Sequence, residues 1–253
     1  MVNDLQKAGL WKRIAAFMFD AILLSVLAVG LAFIFSLLLG YDKYSAAVSN
    51  AYQKYENQFD ITFDISTEAY EALSHEKKQD YDTAYNLLIN DEDALYAYNM
   101  TVNLSLIIVS SSILLAVMIW EFFIPLLLGD GRTLGKKIFG LCLIKTNTVR
   151  INNMQLLVRA LLGKFTIEIM IPVYAVMMLI FGTLNMLILL LIAALIIAQI
   201  ISVILTDTNS PIHDLLAGTA VVDAASQMIF GSEDELLEFK KKQHLEHIAH
   251  LPY

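Results

Sequence analysis

From Phe165 to Leu205 the chain runs for 41 residues with a single charged side chain, Glu168, and no soluble core accommodates so long an apolar stretch. At about 1.5 Å of rise per residue, roughly 20 residues cross the ~30 Å hydrocarbon layer of a bilayer, so the stretch is too long for one upright crossing. Gly and Asn favour a turn at Phe181-Gly182-Thr183-Leu184-Asn185. Two spans follow, Phe165–Ile180 and Leu184–Leu205, with a re-entrant pair as the alternative that the sequence leaves open. Two further blocks behave alike: Ile14–Leu39 carries one ionisable group, Asp20, and Val102–Leu128 is interrupted only by Glu121 and Pro125. The first block exceeds the roughly 7–15 apolar residues of a cleaved secretory signal, so it is expected to be retained. The predicted fold class is an all-α membrane protein: a helical bundle of about four transmembrane helices with interfacial amphipathic helices and a mostly helical extracytoplasmic insertion.

The chain's net charge of −8 is concentrated, because residues 41–100 hold 12 of its 25 acids and only 4 of its 17 Lys and Arg. No basic stripe with interleaved aromatics is left to bind nucleic acid. Four spans place both termini on one side. Lys7, Lys12, Arg13, the seven cations from Arg132 to Lys164, and Lys240, Lys241 and Lys242 all fall on that side, 13 of the 17, which makes it cytoplasmic by the positive-inside rule. The segments expected are 1–40, the N-terminus and first span; 41–100, the acidic insertion facing outward; 101–222, spans two to four with a cytoplasmic amphipathic loop; and 223–253, a charged cytoplasmic tail.

The insertion holds 9 of the 11 tyrosines and a helical stripe of Tyr81, Tyr85, Leu88 and Ile89, reading as a small helical cap. Asp60, Asp64 and Asp91-Glu92-Asp93 offer oxygens to a divalent cation, but without the glycine-punctuated spacing of a calcium loop a solvated acidic face is the better reading. His244, His247 and His250 in the tail do not share one helical face, so no metal site is expected there. The lone Cys142 excludes an internal disulfide and a multi-thiolate site. No cofactor is implied.

Inside the loop between spans two and three, Thr133 is placed to cap a short helix beginning at Leu134, and Ser210-Pro211 reads as a helix start with Gly218 as its stop. Lys136 and Lys137, and then Arg159 and Lys164 within Gln155–Lys164, alternate with apolar residues and are expected to snorkel to lipid phosphates at the interface. Arg13 and Asp20 lie seven residues apart, within about 20° of one helical face. An unpaired carboxylate at that depth costs roughly 2.5–3.5 kcal/mol, so Asp20 must pair, protonate or face water. Glu121 and Glu168 pose the same question, and the three carboxylates could line one polar cavity.

Three blocks of sequence stand out: Trp11-Lys12-Arg13-Ile14-Ala15-Ala16-Phe17-Met18-Phe19-Asp20; Gly131-Arg132-Thr133-Leu134-Gly135-Lys136-Lys137-Ile138-Phe139-Gly140-Leu141; and His213-Asp214-Leu215-Leu216-Ala217-Gly218-Thr219-Ala220-Val221-Val222. In this order they resemble the signature blocks of the RDD family of bacterial membrane proteins, whose defining arginine and two aspartates match Arg13, Asp20 and Asp214. The acidic insertion and the charged tail depart from the compact family pattern. The resemblance implies a helical bundle in the bacterial cytoplasmic membrane, with sodium/proton exchange linked to some members.

Two functions are expected from these features. In the first, the chain is a small ion transporter or cation/proton antiporter. Asp20 exchanges a proton for a monovalent cation, Arg13 is its countercharge, Asp214 holds or gates Arg13, and Glu121 and Glu168 are further exchange candidates. In the second, it is a non-transporting scaffold whose cap docks an envelope protein, and Arg13, Asp20 and Asp214 only fix the fold. Membrane lipids are partners in both, and four spans favour a homo-oligomer. No nucleophile–base pair, zinc-ligand spacing or phosphate-cradling loop marks an enzyme.

Overall fold

A computed structural model describes residues 5–182 and 186–249 of the chain. It is an all-α membrane protein in which four helices among the described residues are long and apolar enough to cross a membrane: α1 (Leu10–Leu39), α5 (Glu92–Leu128), α7 (Asn153–Ile180) and α8 (Met186–Leu205). Between the first two lie α2 (Tyr41–Phe59), α3 (Thr67–Glu71) and α4 (His75–Asn90). Shorter elements join the rest: α6 (Leu134–Ile138), β1 (Leu141–Lys145), α9 (Ile212–Ala217), β2 (Thr219–Asp223) and α10 (Glu233–Ala249). Thr183, Leu184 and Asn185 of the expected turn lie outside the described residues, as do His250 and the side chain of His247.

The chain divides into two compact units, residues 29–112 and residues 1–28 with 113–253. In the first of these, Ser66 caps α3 and Ser74 caps α4. Asp91 separates α4 from α5, accepting from the Asp93 and Ala94 N–H groups and, on its other oxygen, from the Tyr55 hydroxyl at 2.8 Å and Lys54 at 3.0 Å. The Tyr55 hydroxyl above all holds the Asp91 carboxyl well below the usual carboxylate range. Tyr55, Ala84, Leu88 and Ala94 form the core, with edge-on ring contacts linking Tyr52, Phe63, Tyr81 and Tyr70. The expected stripe is only partly buried, since Tyr85 and Ile89 are exposed while Ala84 and Leu88 face inward.

The larger unit carries the site. Asn152 and Gln155 form a reciprocal capping box that starts α7 at Asn153, a dozen residues before the expected span. Gln155–Lys164 is therefore the first part of a 28-residue helix rather than a separate interfacial helix. Thr133 caps α6, accepting from the Lys136 N–H, and α9 begins one residue later than expected, with Pro211 as its cap. Two stretches wind more loosely than an α-helix, with i→i+5 bonding: Met118–Phe123 in α5 and Arg159–Met170 in α7.

An unexpected element is a two-stranded antiparallel sheet, in which Leu141 faces Asp223 and Lys145 faces Thr219. Its strands are buried on both faces. Leu141, Leu143 and Val221 pack on Ala8, Ala16 and Leu156, while Cys142, Ile144 and Val222 pack on Leu5, Ala224 and Ile229. That burial raises the Cys142 thiol pKa to about 11. A strand apolar on both sides shows no alternation, so it reads as one more hydrophobic run. The sheet also brings the three sequence blocks together: β1 follows α6, β2 follows α9, and the first block is tied on by the bridge from Lys7 to Val222 and the 2.9 Å pair of Lys12 with Asp223.

Candidate functional site

Asp20 is buried in α1 and held by neutral groups alone. Trp120 Nε1 of α5 donates to Oδ1 at 3.0 Å, the Gly135 N–H of α6 donates to the same oxygen at 2.8 Å, and Thr133 Oγ1 donates to Oδ2 at 2.5 Å. The Gly135 N–H is one of the first-turn donors that a helix cannot satisfy internally, and Asp20 supplies its acceptor. Only glycine allows this approach, since a Cβ on residue 135 would stand 2.5 Å from the Ala16 carbonyl oxygen and 2.8 Å from the Asp20 carboxyl carbon.

The expected pairing of Arg13 with Asp20 is not formed, which corrects the proposed countercharge. Although the two share a helical face, Asp20 is satisfied by α5 and α6, and Arg13 reaches the other way, donating to the Thr208 carbonyl at 3.4 Å. Among the described residues no carboxylate lies within 4 Å of Arg13. Asp214 belongs to a different arginine.

That arginine is Arg159. Its Nε donates to Asp214 Oδ1 and its Nη1 to Glu121 Oε2, each at 2.7 Å. Lys164 Nζ donates to the other oxygen of Glu121, and Lys136 Nζ stands 3.9 Å from Oε2. Glu121, wholly buried, thus faces three cations. Three of the four cations expected at the lipid interface, Lys136, Arg159 and Lys164, are buried in this cluster, and only Lys137 is exposed. The loose winding of α7 accounts for much of the difference. At about 100° per residue Arg159 and Lys164 would point roughly 140° apart, whereas i→i+5 bonding stacks residues five apart and lets both reach Glu121. Lys136, in α6, is lowered to about 8 by burial, which the charge of Glu121 partly opposes.

The cluster extends through α9. Arg159 Nη2 meets His213 Nε2 at 2.9 Å, and His213 Nδ1 meets Glu168 Oε1 at 2.6 Å. Because a guanidinium only donates, Nε2 must accept. His213 is therefore neutral, with its proton on Nδ1 donated to Glu168. Burial pushes the His213 pKa down, the neighbouring charge of Asp214 opposing it. Asp214 is held well below the usual carboxylate range: burial raises it, but the charge and hydrogen bond of Arg159 outweigh that. Its Oδ1 also accepts from Thr219 Oγ1 at 3.0 Å, whereas Oδ2, buried, has no hydrogen-bond partner among the described residues. Gly163 makes this docking possible, because a Cβ there would lie 2.4 Å from His213 Cβ.

Glu168 differs from the other two span carboxylates. It accepts from His213 and, at 2.8 Å, from Gln199 Nε2 of α8, both on Oε1, and its side chain is 18% exposed against 0% for Glu121. The exposure is to a cavity of about 490 Å³ whose wall includes Arg13, Asp20, Lys136, Arg159, Glu168 and His213. Lys164 closes part of it, 5.8 Å over the Phe17 ring. Asp20 and Glu168 therefore share one cavity, while Glu121 lies behind its wall.

His213, Trp120, Thr133, Gly135, Gly163 and Gln199 were not expected at the site. His213 adjoins the signature aspartate, and Gln199 and Ser202 are the only hydrogen-bonding side chains in α8, a signal that could have been read. Among the described residues no group of three or more His, Cys, Asp and Glu could hold a metal ion.

No curated protein and no solved structure matches the chain. A family model described as the RDD family matches residues 7–218, a range that begins before Arg13, takes in Asp20 and the whole buried cluster, and ends at the glycine that stops α9. This protein belongs to the RDD family.

Proposed function

We propose that the chain is a small, non-enzymatic secondary transporter of the bacterial cytoplasmic membrane that exchanges a monovalent cation for protons, with both termini cytoplasmic. The supporting observation is Glu168. It is the span carboxylate on the cavity wall whose two hydrogen bonds fall on one oxygen and come from neutral donors. Glu121 is committed to three cations and Asp20 to three donors, so neither has an oxygen left for a cation without losing a partner. Glu168 alternates between a proton and a cation, His213 holds it through Nδ1–H, and Arg159 fixes the His213 tautomer. Asp20 and Arg13 then serve the fold and the cavity mouth instead of the exchange step.

No residue in an 18-residue window of α1, or in another of α8, is fully buried within the chain. Lipid and a second copy of the protein cover them in this reading. In proteoliposomes carrying a pH gradient, Na⁺ moves against the proton flow; Glu168→Gln abolishes that movement and Asp20→Asn preserves it. Unchanged flux in Glu168→Gln contradicts the assignment.

A second reading, a non-transporting assembly partner, draws on the exposed Tyr85, Leu87 and Ile89 of α4 and on Tyr96 and Tyr98 of α5, apolar groups suited to an envelope protein. Deleting residues 43–98 separates the two: a transporter keeps its flux, and a scaffold loses a co-purifying protein and has no flux to lose.

A further inference from the structure

We infer that the cavity between α1, α7 and α8 binds one anionic phospholipid, with an acyl chain along its wall and the phosphate on Arg13. This goes beyond ion exchange and does not require it.

The cavity is amphipathic. Its volume of about 490 Å³ falls within the ~300–1,000 Å³ range of small-ligand sites. Ile14 and Phe17 of α1, Ile167 of α7, and Ile196, Ile200 and Val203 of α8 line the apolar part. Ile196 and Ile200 are also more than half exposed and sit on α8, a helix with an 18-residue window in which no residue is buried within the chain, so the cavity wall belongs to a helix open to lipid and a chain can enter sideways.

Its cations are not equivalent. Arg159, Lys164 and Lys136 each have a carboxylate within 4 Å. Arg13 has none among the described residues, where its guanidinium's one hydrogen bond is the 3.4 Å contact with the Thr208 carbonyl. Asp214, the acidic group acting on it, is in contact with Arg159 instead, so the Arg13 guanidinium keeps donors for an outside anion. A guanidinium is suited to phosphate oxygens, which it can engage through two parallel N–H donors.

Height in the bilayer selects a lipid as the source of that phosphate. Trp11, 82% exposed, lies two residues from Arg13 in the first turn of α1, about 3 Å along the axis. Exposed tryptophan marks the headgroup level, and Arg13 at that level meets lipid phosphate while the apolar wall runs on into the hydrocarbon.

The test is native mass spectrometry of the full-length protein in detergent, titrated with phosphatidylglycerol, with phosphatidylcholine of the same acyl chains, and with inorganic phosphate as competitor. The wild type retains one phosphatidylglycerol at least about tenfold more tightly than phosphatidylcholine. Arg13→Gln removes that preference, Arg13→Lys keeps part of it, and Ile196→Trp weakens both lipids by filling the wall while leaving every charge in place. Because Ile196 is more than half exposed on the cavity wall, its replacement is tolerated by the fold and decides the matter alone should Arg13→Gln fail to fold. Undiminished phosphatidylglycerol retention in either Arg13→Gln or Ile196→Trp overturns the inference. So does displacement by inorganic phosphate at equal concentration, which would mean that the site reads a phosphate without its chain. Ion flux plays no part in this readout, so its failure and a failure of the exchange reading are told apart.

Discussion

Asp20 and Glu121 are buried carboxylates in neighbouring helices, yet one is held by neutral donors and the other by cations. Around Asp20, an indole, a hydroxyl and a backbone N–H converge on a single side chain. Around Glu121, two cations donate and a third stands within 4 Å. The first arrangement is a geometric latch, fastening α1 to α5 and to the first turn of α6. The second is an electrostatic balance, in which no member can be removed without leaving a charge in a medium that solvates it poorly. A carboxylate in a membrane helix can therefore serve the fold in two ways, and its position in sequence does not say which.

The largest effect is expected at the balance. Glu121→Gln leaves Arg159, Lys164 and Lys136 facing a neutral amide, and breaking a buried ionic group from one side costs about 3–5 kcal/mol. Thermal unfolding in detergent should show it, and a change no larger than that of an exposed substitution would break the distinction drawn here.

Next comes the latch. Gly135→Ala drives a methyl group against the Ala16 carbonyl and the Asp20 carboxyl, and overpacking of this kind costs about 1–3 kcal/mol. Cation–proton exchange by the folded fraction should survive, so a stable Gly135→Ala protein without flux would tie Asp20 to the chemistry after all.

A smaller effect depends on pH. The His213 pKa is lowered from its ordinary 6.5, so between the two values the unfolded chain binds a proton that the folded chain does not. Stability then rises with pH across that window and falls on acidification through about 6.5. His213→Gln removes this component, leaving a flatter profile of unfolding temperature against pH than the wild type's; an identical slope would place a titrating histidine elsewhere.

How much of this was legible follows from what sets each feature. Four spans are written in long apolar runs, because crossing a bilayer depends on length and hydropathy. The caps at Thr133 and Asn152 are local and short, and Thr133 was readable for that reason. Arg159 and Lys164 were misplaced at the lipid interface because basic residues alternating with apolar ones read as snorkelling cations, and nothing in the residues announces the looser winding that brings both onto Glu121. The partner of Arg13 was misjudged for a related reason: a shared helical face gives proximity along one helix, whereas Asp20 is claimed by donors more than 100 residues away. β1 and β2 were hidden because burial on both sides erases the alternation that identifies a strand.

The most direct measurement is a pair of double-mutant cycles on unfolding free energy, one for Glu121→Gln with Lys164→Met and one for Asp20→Asn with Arg13→Gln. Residues sharing a network couple by about 0.5–3 kcal/mol, while independent sites add to within roughly 0.3–0.5 kcal/mol. Clear coupling is predicted between Glu121 and Lys164 and none between Asp20 and Arg13. Coupling confined to the Asp20–Arg13 pair would contradict the account.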